Sequence, residues 1–251
     1  MNALTLWFHK MGSPPTFYRI ATRLQPWLFA TALAAAAVAL YLGLVRAPAD
    51  YLQGESARIL YIHVPCAWMS LFVYAFMAFN GAIGIIWRIK LCEQMAVASA
   101  PIGAAFTFVT LVTGSLWGRP TWGTYWVWDA RLTSELVLLF LYFGVIGLER
   151  AIEDRRKAAR AASLLAIIGV VNLPIIHFSV KWWNTLHQGE SIKLMGKSTI
   201  DASMLWPILI MALATKLYFG AALLARTRVA VLEQESGKEW VRALVLGTNR
   251  S

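Results

Sequence analysis

The chain has 251 residues, of which 59% are hydrophobic and 14% are charged, whereas charged residues make up about a quarter of ordinary soluble domains. This composition excludes a typical soluble domain and predicts an integral membrane protein. The net charge of +10 could suggest nucleic-acid binding, but the basic residues lie between apolar segments and not on one soluble surface. We therefore expect a lipid bilayer around this chain and no nucleic acid among its partners.

Six apolar segments are long enough to cross a bilayer, which takes about 20 helical residues. The predicted spans cover residues 26–45, 64–87, 95–116, 132–148, 163–183 and 203–225. Each span is expected to be helical because lipid offers the backbone no hydrogen-bond partners. The predicted fold class is therefore all-α, with one six-span membrane domain over residues 1–251.

The N-terminal segment admits two interpretations. Ser13-Pro14-Pro15 is typical of a helix start, and Thr16–Arg23 is expected either to lie along the inner membrane surface or to fray. The apolar segment Pro26–Val45 is longer than the core of a cleaved signal peptide, which has about 7–15 residues, so we predict a retained span. The tail 229–251 is too polar to span and predicts one short helix.

The distribution of lysine and arginine predicts the orientation. Of the 23 basic residues, fifteen lie on one predicted side and seven on the other, and Lys216 lies inside the last span. Cytoplasmic loops carry the excess of these residues, so both termini and the segment Glu149–Arg160 are predicted to be cytoplasmic. Residues 46–63, 117–131 and 184–202 are then periplasmic.

The segment 117–131 is unusually rich in tryptophan. Its aromatic residues are Trp117, Trp122, Tyr125, Trp126 and Trp128. They could form an aromatic belt at the membrane interface, or a flat platform for a large aromatic ligand. The glycines of this segment would let such a ligand approach closely.

A charged cluster follows the tryptophans and consists of Asp129, Arg131 and Glu135. Arg131 and Glu135 are four residues apart and can pair, so we expect this cluster to fix the position of the loop.

Three segments resemble one family. Trp122–Asp129, WGTYWVWD, is similar to the WGxxWxWD signature of the WWD-motif haem-handling proteins of cytochrome c maturation, and Ala130–Leu141 continues the likeness. Tyr61–Met69, YIHVPCAWM, and Lys181–Gln188, KWWNTLHQ, resemble the haem exporter protein C members of that family. With the six spans, the resemblance covers most of the chain. One departure is Tyr125, where some relatives have tryptophan.

The resemblance implies a function in c-type cytochrome biogenesis. It implies that haem b is a transient cargo, held at the periplasmic face of the bacterial inner membrane and delivered to a periplasmic haem chaperone. It also implies association with the ATPase and membrane subunits of an ABC transporter and with a small single-span accessory subunit. No GxxxxGK[ST] P-loop occurs in this sequence, so ATP hydrolysis is expected in a partner and the chain is expected not to be an enzyme.

The resemblance also implies site residues. His63 and His187, on the same predicted side as the tryptophan segment, are implied as axial ligands of one haem iron. Trp117, Trp122, Trp126, Trp128 and Asp129 are implied as the haem platform. An arginine is expected to meet a haem propionate, and the unranked candidates are Arg58, Arg119 and Arg131.

The remaining histidines give weaker candidates. His177 is the rival ligand, but we expect it to satisfy backbone groups freed by Pro174. His9 is expected to be solvated, and a zinc site at His63 is disfavoured because Cys66 is the only nearby thiol.

Two other classes of function remain open. A b-type electron-transfer cytochrome would favour paired histidines within the spans, where only His177 is predicted. A solute permease would place functional polar groups near the middle of the membrane, where this chain has few beyond Asn80, Asn172 and Lys216.

Overall fold

The computed structural model describes residues 13–187, 192, 198 and 200–247. Within these residues the regular structure is helical. Numbered in chain order, the helices are α1 (Pro14–Tyr41), α2 (Leu60–Trp87), α3 (Lys90–Trp122), α4 (Ala130–Ala151), α5 (Arg155–Gly169), α6 (Asn172–Trp182), α7 (Ala202–Gln234) and α8 (Glu239–Val245). His9 lies outside the described residues.

Six helical segments are long and apolar enough to cross a membrane. They are Pro14–Arg46, Glu55–Trp87, Lys90–Trp122, Ala130–Ala151, Arg155–Trp182 and Ala202–Gln234. The first adds a π-helical turn to α1, the second begins with a 3₁₀ turn before α2, and the fifth consists of α5 and α6. The prediction of an all-α, six-span fold is confirmed.

The first helix begins earlier than the predicted span. Pro14 and Pro15 occupy its first turn, where an N–H donor is not needed, and the helix then continues without a break through Pro26. The predicted helix start at Ser13-Pro14-Pro15 is confirmed, and the alternative of a frayed segment over Thr16–Arg23 was wrong. The position of this segment along the inner membrane surface stays a prediction. At the other end, α7 extends the last span to Gln234, and α8 is the short helix predicted in the tail.

The tryptophan segment is partly helical, so the predicted loop at 117–131 is shorter than expected. Helix α3 continues through Trp122 and ends at Gly123, whose φ of +79° is the left-handed conformation that glycine adopts without strain. The Gly123 N–H donates to Arg119 O at 3.0 Å. Helix α4 then starts after Asp129, whose side chain accepts from the Leu132 N–H. The loop proper is residues 123–129.

The core of the bundle lies along α2, with α3, α5 and α7 packed against it and Tyr142 of α4 reaching it. Met69, Tyr74 and Met77 of α2 and Tyr142 of α4 are fully buried. Tyr142 donates its hydroxyl to Ser70 O at 2.8 Å, which satisfies a polar group deep in the bundle. Helix α1 packs mainly on α7 at the edge, so it contributes little to this centre. The central helices therefore set the positions of the side chains at their ends.

Candidate functional site

One end of the bundle brings together the start of α2, the end of α3, the start of α4 and the segment after α6. Between them lies a cavity of about 680 Å³ that is partly open to solvent. Six of the candidate residues from the sequence line it: His63, Trp117, Trp122, Trp126, Arg131 and His187. These residues come from three separated stretches of sequence, so only the packing of the helices makes them neighbours.

His63, the fourth residue of α2, is buried and held on two sides by α3. Its Nδ1 lies 3.0 Å from Thr113 Oγ1. Its ring meets the Trp117 ring edge-on, with the centroids 5.7 Å apart and the planes at 75°. Gly114 lies between these two contacts, and a Cβ added there would lie 3.0 Å from His63 Cε1. The glycine therefore allows α3 to approach the imidazole closely.

His187 lies five residues after the end of α6 and is half-buried. Its ring is tilted at 50° to the Trp122 ring, with the centroids 6.2 Å apart. Each candidate histidine thus has its own tryptophan near the end of α3. Trp117 and Trp122 are five residues apart, which places them roughly 140° apart around the helix axis. The end of α3 therefore carries one histidine contact on each of two faces.

The loop after α3 supplies a third tryptophan and unpaired polar atoms. Trp126 lines the cavity, and its Nε1 is buried without a hydrogen-bond partner among the described residues. In the same part of the chain, Asp129 Oδ2 is also buried and unpartnered, while Oδ1 caps α4 at 2.8 Å from the Leu132 nitrogen. Such buried groups require a partner. A bound ligand with polar substituents would fit this requirement.

Trp128 is less enclosed than the other tryptophans of the motif. It packs edge-on against Trp126, with the ring centroids 5.4 Å apart, but it is 76% exposed and does not line the cavity. Trp117 is at the opposite extreme, because its Nε1 donates to Gln53 Oε1 at 2.8 Å and ties α3 to the connection before α2. The predicted platform is therefore three tryptophans inside the cavity and one at its rim.

The three candidate arginines have different surroundings. Arg58 pairs with Glu55 and donates to Gly43 O and Ala47 O at 2.7 and 3.1 Å, so it braces the end of the first span. Arg119 donates to Gly123 O and lies over the Tyr125 ring, so it braces the turn after α3.

Only Arg131 of the three lines the cavity. It lies in the first turn of α4, and its Nη1 donates to Ile176 O of α6 at 3.1 Å. The structure thus distinguishes three candidates that the sequence left unranked.

The profile of the family described as Heme exporter protein C matches residues 7–242 of this chain. The chain belongs to the haem exporter protein C family. It is 49% identical to "Heme exporter protein C" of Escherichia coli strain K12, over 96% of this chain and 98% of that protein. The identity to the protein of the same name from Haemophilus influenzae is 47%, over 95% and 97% of the two chains. A "putative cytochrome c biosynthesis ccmC-like mitochondrial protein" of Arabidopsis thaliana is 45% identical, over 78% and 74%.

The family assignment confirms the resemblance of the three quoted segments. The chain is a multi-pass membrane protein, because its six apolar helices agree with its membership of the haem exporter protein C family. In the fold, the three segments meet at the same cavity: Tyr61–Met69 contributes His63, Trp122–Asp129 contributes two tryptophans, and Lys181–Gln188 contributes His187.

His177, the rival candidate from the sequence, does not line the cavity. It is exposed on α6 and packs against Phe178, with the ring centroids 4.7 Å apart. The expectation that it satisfies backbone freed by Pro174 stays a prediction. Pro174 is the third residue of α6, where the backbone N–H would have no helical partner in any case.

Two residues that line the cavity, Glu135 and Gln53, were not among the predicted site residues. Glu135 is buried one turn below Arg131, and its Oε1 accepts from Ser70 Oγ at 2.7 Å. Gln53 lines the cavity beside Trp117. The spacing of Glu135 from Arg131 was visible in the sequence, but its contact with Ser70 of α2 was not. For Gln53 the sequence held no signal, because it lies in an irregular connection.

Proposed function

We propose that this chain binds haem b as a transient cargo in the cavity at the periplasmic end of the bundle and delivers it for c-type cytochrome biogenesis. The observation that carries the proposal is a single cavity lined by two histidines and three tryptophans that come from distant parts of the sequence. His63 and His187 are the proposed axial ligands of the iron, since neutral imidazole is a common haem ligand. The names of the relatives support haem as the cargo.

The chemistry of the cavity lining fits a haem. Trp117, Trp122 and Trp126 offer apolar ring surfaces to a flat macrocycle. Arg131 offers a cation to a propionate, and the unpaired Trp126 Nε1 is a further donor that a propionate of the bound cargo can satisfy. Asp129 and Trp128 complete the proposed platform at its rim.

The opening of the cavity supports release of the cargo to a partner. Trp128, Trp182 and Trp183 are each at least half exposed; Trp128 packs against the cavity residue Trp126, and Trp182 and Trp183 lie at the end of α6, a few residues before His187. Exposed aromatic clusters of this kind are typical of protein–protein contact sites. The proposed recipient is a periplasmic haem chaperone that docks over this aromatic rim. A permanently enclosed haem, as in an electron-transfer cytochrome, would not need such an opening.

The proposed setting is an ABC transporter complex in the bacterial inner membrane. Its other members are the ATPase and membrane subunits and a small single-span accessory subunit. The word exporter in the names of the relatives supports this assignment. The excess of lysine and arginine at the opposite end of the bundle supports a periplasmic position for the cavity, with both termini in the cytoplasm.

Replacement of either proposed ligand tests the function directly. His63→Ala and His187→Ala should each convert a six-coordinate low-spin haem spectrum to a five-coordinate one, lower haem retention and block haem delivery. His177→Ala is the matched control, because His177 is exposed outside the cavity and should leave the spectrum unchanged. Added imidazole should partly restore the spectrum of either ligand variant. The function as proposed is excluded if both ligand variants keep the unaltered spectrum, or if His177→Ala alone abolishes it.

A further inference from the structure

The contact between His63 and Thr113 bears on which ring nitrogen of the histidine is free. The two atoms involved are Nδ1 and Oγ1, 3.0 Å apart. A neutral imidazole has one N–H donor and one acceptor nitrogen, and only the unprotonated nitrogen can bind a metal. The direction of this hydrogen bond therefore decides whether Nδ1 or Nε2 is available to an iron.

The hydroxyl proton of Thr113 is already committed within α3. Thr113 Oγ1 lies 2.6 Å from Val109 O, one helical turn earlier. A carbonyl oxygen can only accept, so two oxygens at this separation need a hydrogen between them, and the threonine hydroxyl is its only source. The other nearby oxygen, Thr110 O at 3.3 Å, also only accepts. Thr113 therefore has no proton left for His63, and the His63 Nδ1–H must be the donor.

We infer that Thr113 is a positioning residue for the haem ligand His63: its hydroxyl accepts the Nδ1–H and keeps Nε2 unprotonated for the iron. This inference deepens the proposed function and rests on it, because the ligand role of His63 is part of that proposal. Thr113 itself does not line the cavity and touches the cargo only through the histidine.

The surroundings of the ring support this role. Thr113, Gly114 and Trp117 lie at helical spacing on the face of α3 that meets α2. A Cβ added at Gly114 would be 3.0 Å from Cε1, 3.5 Å from Nδ1 and 3.9 Å from Nε2 of His63, so Nε2 is the ring nitrogen farther from Gly114. The threonine sets the tautomer, while the glycine and the indole restrict the plane of the ring.

The chemical consequence is a more basic Nε2. A ligating histidine almost always donates its second N–H to an acceptor, which fixes the tautomer and strengthens the metal bond, and loss of that acceptor typically lowers affinity about 10–100-fold. A more basic imidazole also favours the ferric over the ferrous haem. Loss of the acceptor should therefore weaken haem binding and make the midpoint reduction potential more positive.

The test compares three variants of the full chain, purified in detergent with haem. Thr113→Val removes the hydroxyl at nearly constant shape, Thr113→Ser retains it, and Thr107→Val is the matched control. Thr107 is buried on α3 and makes the same kind of bond to Gly103 O, at 2.8 Å, but lies away from His63. Haem affinity and midpoint potential are measured for each.

We expect about 10–100-fold weaker haem binding and a positive shift in potential for Thr113→Val only, with Thr113→Ser close to the parent protein. In a His63→Ala background Thr113→Val should have no further effect on haem binding. An unchanged affinity and potential in Thr113→Val would overturn the inference. So would a loss in Thr113→Ser or Thr107→Val as large as in Thr113→Val, or a further loss in the His63→Ala background.

The ligand role of His63 and the positioning role of Thr113 are contradicted by different results. If His63→Ala changes the haem spectrum while Thr113→Val changes neither affinity nor potential, the ligand assignment stands and only the role of Thr113 is lost. If His63→Ala leaves the spectrum unaltered, the ligand assignment fails, and the role of Thr113 fails with it.

Discussion

Three arginines near the cavity end of the bundle illustrate how the bonds of a residue decide its role. Arg58 and Arg119 are both engaged with backbone carbonyls at helix ends, which these cations stabilise. Arg131 also donates to a carbonyl, Ile176 O, but through Nη1 and from within the cavity wall. A guanidinium in the cavity wall can meet a carboxylate with two parallel hydrogen bonds. Arg131 is therefore the proposed partner for a haem propionate.

Arg131→Gln should weaken binding of haem about tenfold, because a hydrogen bond to a charged group contributes roughly 1.5–3 kcal/mol. The measurement is haem titration of the purified chain, repeated with haem whose propionates are esterified. The esterified ligand should bind Arg131→Gln and the parent protein equally. Arg119→Gln is the control and should bind haem normally. A loss for the esterified ligand as large as for free haem would show that Arg131 supports the fold and not the propionate.

Lys216 is the charge that the sequence places within a membrane span. On α7 its side chain is exposed, so no wall of this bundle covers it. A hypothesis that it faces protein would therefore require a partner chain, since a charge near the centre of a bilayer costs about 2.5–3.5 kcal/mol on insertion scales.

At the scale of elements, the junction between α3 and α4 connects the tryptophan motif to the membrane domain. Gly123 ends one helix in the left-handed conformation, and Asp129 starts the next by accepting from the Leu132 N–H. The six residues between 122 and 129 are thereby anchored at both ends. Trp126 lies between these anchors, so the cap geometry controls where its indole faces the cavity.

Asp129→Ala should reduce haem delivery more than it reduces the amount of protein in the membrane. The change removes a helix cap, which costs about 1 kcal/mol, and a buried carboxylate oxygen at the site. Asp154→Ala is the matched control: Asp154 caps α5 at the opposite end by accepting from the Arg156 and Lys157 N–H groups. Delivery and membrane level are measured for both variants.

Comparison of the two cap variants distinguishes a direct effect on the haem site from a loss of stability of the helical bundle. If Asp154→Ala lowers delivery as strongly as Asp129→Ala does, the loss reflects a weakened bundle. Asp129→Asn adds a second comparison, because asparagine retains the cap but changes the buried oxygen that has no partner among the described residues. A defect in Asp129→Asn would assign a direct role to that oxygen.

At the scale of the whole molecule, the two ends of the bundle differ in chemistry. One end holds the aromatic cavity described above. The other is rich in charge, and there Arg155 of α5 forms an ion pair with Glu233 of α7 at 3.1 Å. Arg226 of α7 donates to Ala98 O of α3 at 3.1 Å at the same end. This asymmetry agrees with the bias of lysine and arginine that predicts the orientation.

Cysteine labelling from outside intact cells should reach position 125 and not position 156, in a background that lacks Cys66 and Cys92. Tyr125 is 57% exposed beside the cavity, and Arg156 is exposed at the opposite end of the bundle, so both sites suit labelling. Tyr125→Cys and Arg156→Cys are compared before and after the membrane is permeabilised, which should expose both. Labelling of position 156 alone in intact cells would show that the topology is the reverse of the one proposed.

Different parts of the site were predictable to different degrees. The WGTYWVWD motif and its two companion segments pointed to His63 and His187, and the structure brings both to one cavity. The start of α1 after Ser13 was predicted, but its continuation into the first span was missed because a mixed aromatic and basic segment lacks the apolar signal of a span. The end of α3 was missed because tryptophan, glycine and proline favour a loop, whereas the helix stops only at Gly123.

The sequence by itself determined that this chain crosses a membrane six times and belongs with haem-handling proteins. Its long apolar segments must form helices in lipid, where the backbone has no other hydrogen-bond partners. Only the tertiary structure decided which polar groups surround the cavity. Gln53, Thr113 and Glu135 reach their partners across different helices, through packing between segments far apart in the chain. Such contacts depend on the angle and depth at which helices pack, and these leave no local pattern in the sequence.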